Sequence, residues 1–415
     1  MRARATGSSG GGRLNYIPIP IALLGVGKPL PVDVFSGTGQ LLLRKGQPIV
    51  SEQHRDKLHA HEACSTAVEG LAWQRAYERM VHEMLRDGLD LQTIANAPMP
   101  STILERDYVV GLQLSGGWLD LQEVLRGILY QGGLAINPMP RLVGIEKKFR
   151  QLLQEDPDDS LYCLFQALAD NALGYCATNA LLCAVVCELS APKLGIAPAQ
   201  RQSLLSGALT MNIGMARDQD YLARQNHAPD DAQRALIAAH PQIGREILQG
   251  FGVDDKDTLD IVRWHHAPTS PEALPNNLPS RRLLKLADEF IARMAGRKTR
   301  ASQSPVKAVK SMVLGAQGEV VGVGSAMAQA VGFYPPGSYV LLTNGETAVS
   351  VKRGERANTP WVMPILDKNG LPVTKYVCKD TSQPEWEIAS AVNFEKVRVA
   401  INVEKVRQAR DRIPR

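Results

Sequence analysis

The sequence lacks most of the features that would place it in a simple class. Its six cysteines form no Cys-X-X-Cys pair, which excludes a zinc knuckle and a thioredoxin-like redox motif. Because no run of about 18 apolar residues is uninterrupted, we expect no transmembrane helix. The first residues, MRARATGSSGGGR, lack the apolar core of a signal peptide. We therefore expect a cytoplasmic protein.

An excess of charge of one sign is also missing. The 415 residues contain 47 Lys and Arg against 42 Asp and Glu, a formal net charge of +5. No long Lys/Arg stripe is present, which disfavours a dedicated nucleic-acid binder. The hydrophobic content of 44% excludes a wholly disordered chain and is sufficient for at least one full core. The length indicates two or three domains.

Composition and periodicity divide the chain into segments of different type. Short apolar runs around a Gly-Thr-Gly turn predict a small β module near the start, and two Asn-Gly turns predict another near the end. Helical patterns dominate between them, so the predicted fold class is mostly α. In chain order, the segments are a flexible tail (1–13), a small β module (14–51), a helical linker or packing region (52–150), a helical domain (158–315), a β-rich extension (316–376) and a C-terminal tail (377–415).

Half of the eight histidines lie within residues 227–266. His240 is at helical spacing from Leu236 and Ile243, which predicts that it lies on the buried stripe of its helix. Asp288 is likewise at helical spacing from apolar residues of its own helix, which predicts that it also lies on a buried stripe. A carboxylate on such a stripe needs a cation, a metal or a hydrogen-bond donor as its partner, because its desolvation is costly.

Three imidazoles and one carboxylate are therefore expected to point into a common helical core: His240, His265, His266 and Asp288. This set is typical of a site for one divalent metal, with zinc, iron and manganese as candidates. The same spacing is also typical of core histidines that bond to backbone carbonyls. Spacing alone leaves both interpretations open.

Four short motifs occur in order along the helical domain: LTMNIGM, HPQIGREIL, IVRWHH and KLADEF. Together they resemble the HD-GYP family, a branch of the HD-domain metal-dependent phosphohydrolases that degrades the bacterial second messenger cyclic di-GMP. The resemblance covers residues 158–370, about half of the chain, and includes the later stretch YPPGSYVLLTNGETAVSV. It implies an HD-type helical bundle, a divalent metal and a role in bacterial signalling.

The resemblance implies seven metal-ligand positions, and the sequence departs from the family at three of them. The defining His-Asp pair falls at Met211 and Asn212, and Asn179 stands where the family has an earlier histidine. Ala267 replaces the acid that follows the paired histidines, and the glycine-tyrosine-proline loop is absent. The four positions that match are His240, His265, His266 and Asp288.

These departures predict a degenerate active site. Met211 offers a soft thioether and Asn212 a neutral carbonyl oxygen, so neither replaces the ligands of the first metal. A two-metal phosphodiesterase needs both ions to hold its bridging water and the phosphate. We therefore expect no ordinary cyclic di-GMP hydrolysis, while His240, His265 and His266 still form a ligand set for one metal.

Two functions remain open from the sequence. One is a regulatory or binding module in bacterial signalling; the other is a metal-dependent phosphohydrolase that uses a mononuclear three-histidine site. Arg297 and Arg300 lie where the family has basic residues that face nucleotide phosphates, although they also suit a solvated helix end. Cyclic di-GMP or another phosphoester, a protein signalling partner and a second copy in a homodimer are the candidate partners.

Overall fold

The computed structural model describes residues 16–103, 116–170, 173–296, 302–314, 319–397, 399 and 401–413. The chain divides into two compact units. The N-terminal unit comprises residues 13–114 and 135–144, and the helical unit comprises residues 115–134 and 145–415. The division runs through helix α5 (Pro138–Glu155), after Gly144.

The N-terminal unit contains a four-stranded antiparallel sheet. Its strands have the order β1-β4-β2-β3 and are β1 (Tyr16–Pro18), β2 (Val34–Phe35), β3 (Leu41–Leu43) and β4 (Cys64–Thr66). Strands β2 and β3 pair on either side of the Gly-Thr-Gly turn, where Gly39 has a φ of +83° that a glycine adopts without strain. Because β4 pairs with β1 and β2, the sheet extends beyond residue 51.

Among the described residues of this unit, the sheet is accompanied by α1 (Glu52–Ala60), α2 (Ala67–Arg86) and α3 (Leu91–Ala95). The Ser51 side chain accepts a hydrogen bond from the His54 N–H and so caps α1. Trp73 on α2 is buried among the apolar residues of the unit, and its indole N–H donates to the Pro100 carbonyl at 2.8 Å.

The helical unit is a bundle around one central helix, α7 (Tyr175–Ser190). The bundle also contains the part of α5 that follows Gly144, together with α4 (Trp118–Gln131), α6 (Pro157–Ala169), α8 (Pro198–Thr210), α9 (Ala216–Arg224), α10 (Asp231–Gly250), α11 (Lys256–Trp264), α12 (Leu278–Met294), α13 (Pro305–Leu314) and α14 (Glu319–Val331). Small and apolar side chains cover every face of α7, so it packs against α6, α8, α12 and α14 at once.

Within the described residues, the stretch Tyr175–Leu194 is also long and apolar enough to cross a membrane, and its most apolar 18-residue window is 83% buried in the fold. Helix starts follow the sequence signals. Asp230, for example, accepts a hydrogen bond from the Gln233 N–H at 2.8 Å at the start of α10, and aspartate is a residue typical of this capping position.

A five-stranded antiparallel sheet completes the helical unit. Its strands have the order β8-β7-β6-β5-β9 and are β5 (Tyr339–Leu342), β6 (Thr347–Lys352), β7 (Trp361–Leu366), β8 (Lys379–Asp380) and β9 (Ile388–Val392). The turn between β5 and β6 contains Asn344–Gly345, with a φ of +88° at Gly345. A mostly α fold with small sheets near both ends is therefore confirmed.

The segment 377–415, for which the sequence predicted a tail, contains β8, β9 and helix α15 (Val403–Arg410). Val406 and Ala409 of α15 are buried in a cluster with residues of α6 and the sheet. Arg407 and Arg410 donate to Asp159 of α6 at 3.0 and 2.9 Å. Apolar burial and these ion pairs order the segment.

Candidate metal site

Three histidines from two adjacent helices lie together in the helical unit. His240 belongs to α10, while His265 and His266 directly follow α11, and these two helices pack against each other. One ring nitrogen of each histidine lies within 4.8 Å of the corresponding nitrogens of the other two. His240 and His265 are fully buried, whereas His266 is exposed.

Local backbone chemistry orients the His240 ring. Pro241 has no N–H, so the Ile237 carbonyl, four residues earlier, lacks its usual helical partner. The Nδ1 atom of His240 lies 2.6 Å from that carbonyl oxygen. Because a carbonyl can only accept, Nδ1 carries the proton of the neutral ring, and Nε2 keeps its lone pair.

The His265 ring is oriented by the end of its helix. The Val262 carbonyl belongs to the last turn of α11, whose carbonyls have no partner within the helix. The Nδ1 atom of His265 lies 2.8 Å from the Val262 oxygen and donates to it. As in His240, the lone pair is thereby left on Nε2.

These contacts discriminate between the two interpretations of the histidines. Bonds to backbone carbonyls account for Nδ1 of His240 and His265, but both Nε2 atoms are buried without a hydrogen-bond partner among the described residues. A buried polar atom without a partner is costly. Histidines that bind metals commonly donate their other ring nitrogen to a carbonyl in this way. The arrangement therefore leaves two buried lone pairs, on Nε2 of His240 and of His265, to which a metal ion could bind.

Burial also favours the neutral imidazoles that metal binding requires. It lowers the pKa of His240 to about 4, with His266 contributing in the same direction. Burial likewise lowers the pKa of His265 well below its ordinary value. Although His266 as a whole residue is exposed, the protein around its ring partly desolvates the imidazole and lowers its pKa, an effect that the nearby Asp288 opposes. A cation does not need to displace protons from these rings at neutral pH.

Asp288 is not part of the histidine cluster, although it acts electrostatically on His266. Its carboxylate accepts a hydrogen bond from the Asn179 Nδ2 at 2.9 Å, between α12 and α7. The structure thus gives Asp288 the partner that its place on an apolar stripe requires. Asn179, at the position of the missing histidine, is engaged in that bond.

Met211 and Asn212 follow α8 and are both buried, 0% and 2% exposed. Neither polar atom of the Asn212 amide has a hydrogen-bond partner among the described residues. The turn that follows, Ile213–Met215, packs against α10. This close approach requires Gly214, because a Cβ atom there would lie 2.4 Å from the His240 carbonyl oxygen.

We expect Gly214→Ala to destabilise the helical unit by roughly 2–3 kcal/mol and to weaken metal binding, since the added methyl group pushes the turn away from His240. Urea unfolding followed by far-UV circular dichroism measures the first effect. Gly250→Ala is the matched control, because a Cβ atom at Gly250 would have nothing within 4 Å and α10 tolerates alanine there. Equal stabilities of the two variants would contradict this explanation of Gly214.

A buried ion pair that the sequence analysis missed holds the loop after the paired histidines. Arg281 of α12 pairs with Asp260 of α11, and both side chains are buried. Arg281 also donates to the Pro268 and Leu274 carbonyls at 3.1 and 2.7 Å. The signal in the sequence was an acid and an arginine at buried positions of two neighbouring helices. Arg297 and Arg300 lie outside the described residues.

No family model and no curated protein matches the chain. Among solved structures, the chain is similar to Bd1817, an HDG"Y"P protein from Bdellovibrio bacteriovorus. The identity is 16%, the match covers 75% of this chain and 99% of that one, and the TM-score is 0.40.

Proposed function

We propose that the chain is a divergent HD-GYP-like protein that binds one divalent metal through His240, His265 and His266. It acts as a regulatory or binding module in bacterial signalling and lacks ordinary cyclic di-GMP phosphodiesterase activity. One observation carries the metal site: the two buried Nε2 atoms have no partner in the described fold, and the third histidine is beside them.

The neighbouring residues support one ion rather than two. A second ion would need ligands at Asn179, Met211 and Asn212, the positions where the family has histidines and an aspartate. Asn179 is bonded to Asp288, Met211 offers a buried thioether, and the Asn212 amide has no charge. Without a bridging carboxylate, two ions and the water between them cannot be held as a phosphodiesterase requires.

The donor set indicates which metal is bound. Three neutral imidazole nitrogens suit zinc or iron and disfavour magnesium, which prefers oxygen ligands. Manganese is less favoured for the same reason. The proposed ligands of the module are cyclic di-GMP or another phosphoester, and a protein signalling partner and a second copy of the chain are further candidates. The proposed location is the cytoplasm.

Metal content tests this proposal directly. In protein purified without chelator or affinity metal, we expect close to one equivalent of zinc or iron per chain, and His265→Ala should lose it. His227→Ala is the matched control, because His227 is an exposed histidine of the same unit and should keep the metal. Metal-free wild-type protein with an unchanged fold, which takes up no added zinc, would overturn the metal site.

A second candidate function is a phosphohydrolase that uses the same mononuclear site. The exposure of His266 favours it, because three protein ligands leave a coordination position open to water. Asp288 lies near that histidine and is only partly buried, so it could accept a proton from such a water. Hydrolysis of cyclic di-GMP at an enzymatic rate, abolished by His265→Ala, would replace the regulatory proposal with this one.

A further inference from the structure

A cavity of about 270 Å³ lies in the helical unit, and none of the three clustered histidines lines it. Separate parts of the chain contribute to its wall. Lys193 comes from the turn after α7, Tyr334 from the segment before β5, and Arg353 and Arg356 from the stretch between β6 and β7. The cavity is therefore formed where the C-terminal sheet packs on the helices of its own unit.

Positive charge predominates around this cavity. Lys193 and Arg356 are exposed and form no ion pair within the described part of the chain. Glu355 is the one acidic side chain among the lining residues, and it too has no such partner there. Two cations that form no ion pair, beside a single carboxylate, leave an excess of positive charge at the cavity that favours an anionic ligand.

Arg353 is fixed in orientation by the fold. Its Nε donates to the Asp158 carboxylate at 2.6 Å, and its Nη1 donates to the Ala330 carbonyl, also at 2.6 Å. No described residue accepts a hydrogen bond from Nη2. Because the guanidinium is already held on two sides, little side-chain entropy is lost when Nη2 binds a ligand.

Tyr334 adds a neutral donor to the same cavity. Its hydroxyl group makes no hydrogen bond with the described residues, while its ring packs against the buried cluster that includes Val340 and Val362. Burial raises the pKa of Tyr334, so the hydroxyl stays protonated at neutral pH and can donate.

We propose that this cavity binds the phosphate group of a small phosphate monoester. A phosphate oxygen accepts charge-assisted bonds from Lys193, Arg353 and Arg356, which are stronger than those between neutral groups. The volume is slightly below the range of cavities that hold drug-sized ligands, so it suits a phosphate with a few additional atoms rather than a dinucleotide. This site is separate from the proposed metal function and does not depend on it.

Isothermal titration calorimetry on the full chain, with inorganic phosphate and with glycerol phosphate, tests the proposal. We expect saturable binding of both probes, tighter for the ester if the cavity also holds its organic part. Lys193→Ala and Arg356→Ala should each weaken binding about tenfold, because each removes one charge-assisted contact. Glu355→Gln should tighten the binding of inorganic phosphate, because it removes the one acidic side chain that lines the cavity.

Matched controls separate this site from general attraction to a basic surface. Lys368→Ala and Arg412→Ala each remove one exposed positive charge elsewhere in the helical unit, and binding should stay unchanged. His265→Ala should also leave it unchanged, so failure of the metal site and failure of this site give different results. Absence of saturable binding, equal weakening in the controls, or no gain in Glu355→Gln would overturn the proposal.

Discussion

Replacing Arg281 by alanine is expected to lower the free energy of unfolding of the helical unit by about 3–5 kcal/mol. The side chain is 2% exposed and pairs with Asp260, which is 6% exposed at its side chain. Removal of the guanidinium leaves that carboxylate buried without its cation. It also leaves the Pro268 and Leu274 carbonyls without the donor that joins them to α12.

Urea unfolding of Arg281→Ala and Arg234→Ala measures this difference. Arg234 is the matched control because its ion pair with Asp231 is on the surface, with side-chain exposures of 59% and 99%. An exposed pair contributes less than about 1 kcal/mol. Similar losses in both variants would show that the buried pair does not stabilise the unit as its geometry indicates.

The same substitution should affect the histidines. The loop that Arg281 holds begins directly after His265 and His266, so its release loosens the end of α11 that positions both rings. Loss of such supporting contacts typically weakens metal binding by roughly tenfold to a hundredfold. Metal titration of the folded variant at low temperature checks this effect separately from stability.

Acidification of the chelator-treated protein is expected to destabilise the helical unit by about 3 kcal/mol through His240 alone. In the unfolded chain this histidine has its ordinary pKa of 6.5, while in the folded protein the pKa is about 4. Between these values the unfolded state binds more protons, so stability falls as the pH falls. The contribution of neutral His240 to the free energy of unfolding is complete above pH 6.5 and is lost once the pH is below about 4.

Protonation of His265 also lowers the stability as the pH falls, because burial lowers the pKa of this histidine in the folded protein. Unfolding curves collected between neutral pH and about pH 4 measure the slope, and His240→Gln should reduce it. His227→Gln, which removes an exposed histidine, is the control and should leave the slope as in the parent protein. A stability that does not change with pH in this range would contradict the burial of neutral imidazoles.

Much of the fold follows from local patterns. Helical periodicity and capping residues predicted the bundle, and Gly-Thr-Gly and Asn-Gly turns predicted where chain reversals occur. Local patterns did not predict that the segment 377–415 forms strands and a helix. Strand β9 pairs with β5, about fifty residues earlier, and α15 is anchored through Asp159 of α6. Such pairings join distant segments, so no local pattern encodes them.

The candidate site likewise combines features that depend on local sequence with features that depend on tertiary packing. Local sequence is sufficient to specify the buried stripe that carries His240, the proline that leaves the Ile237 carbonyl free, and the helix end at which His265 bonds to Val262. All of these depend on residues within one or two helical turns. The loss of the His-Asp pair at Met211 and Asn212 is likewise visible in the sequence.

How these local features combine depends on the packing of helices and strands that are distant in the chain. The packing of α10 against α11 brings three ring nitrogens within 4.8 Å and buries two Nε2 atoms without a partner among the described residues. Asp288 bonds to Asn179, 109 positions away in the chain, and the cavity with Lys193 and Arg353 is formed by packing of the sheet on the helices. Each contact depends on distances between elements, which periodicity along the chain does not contain.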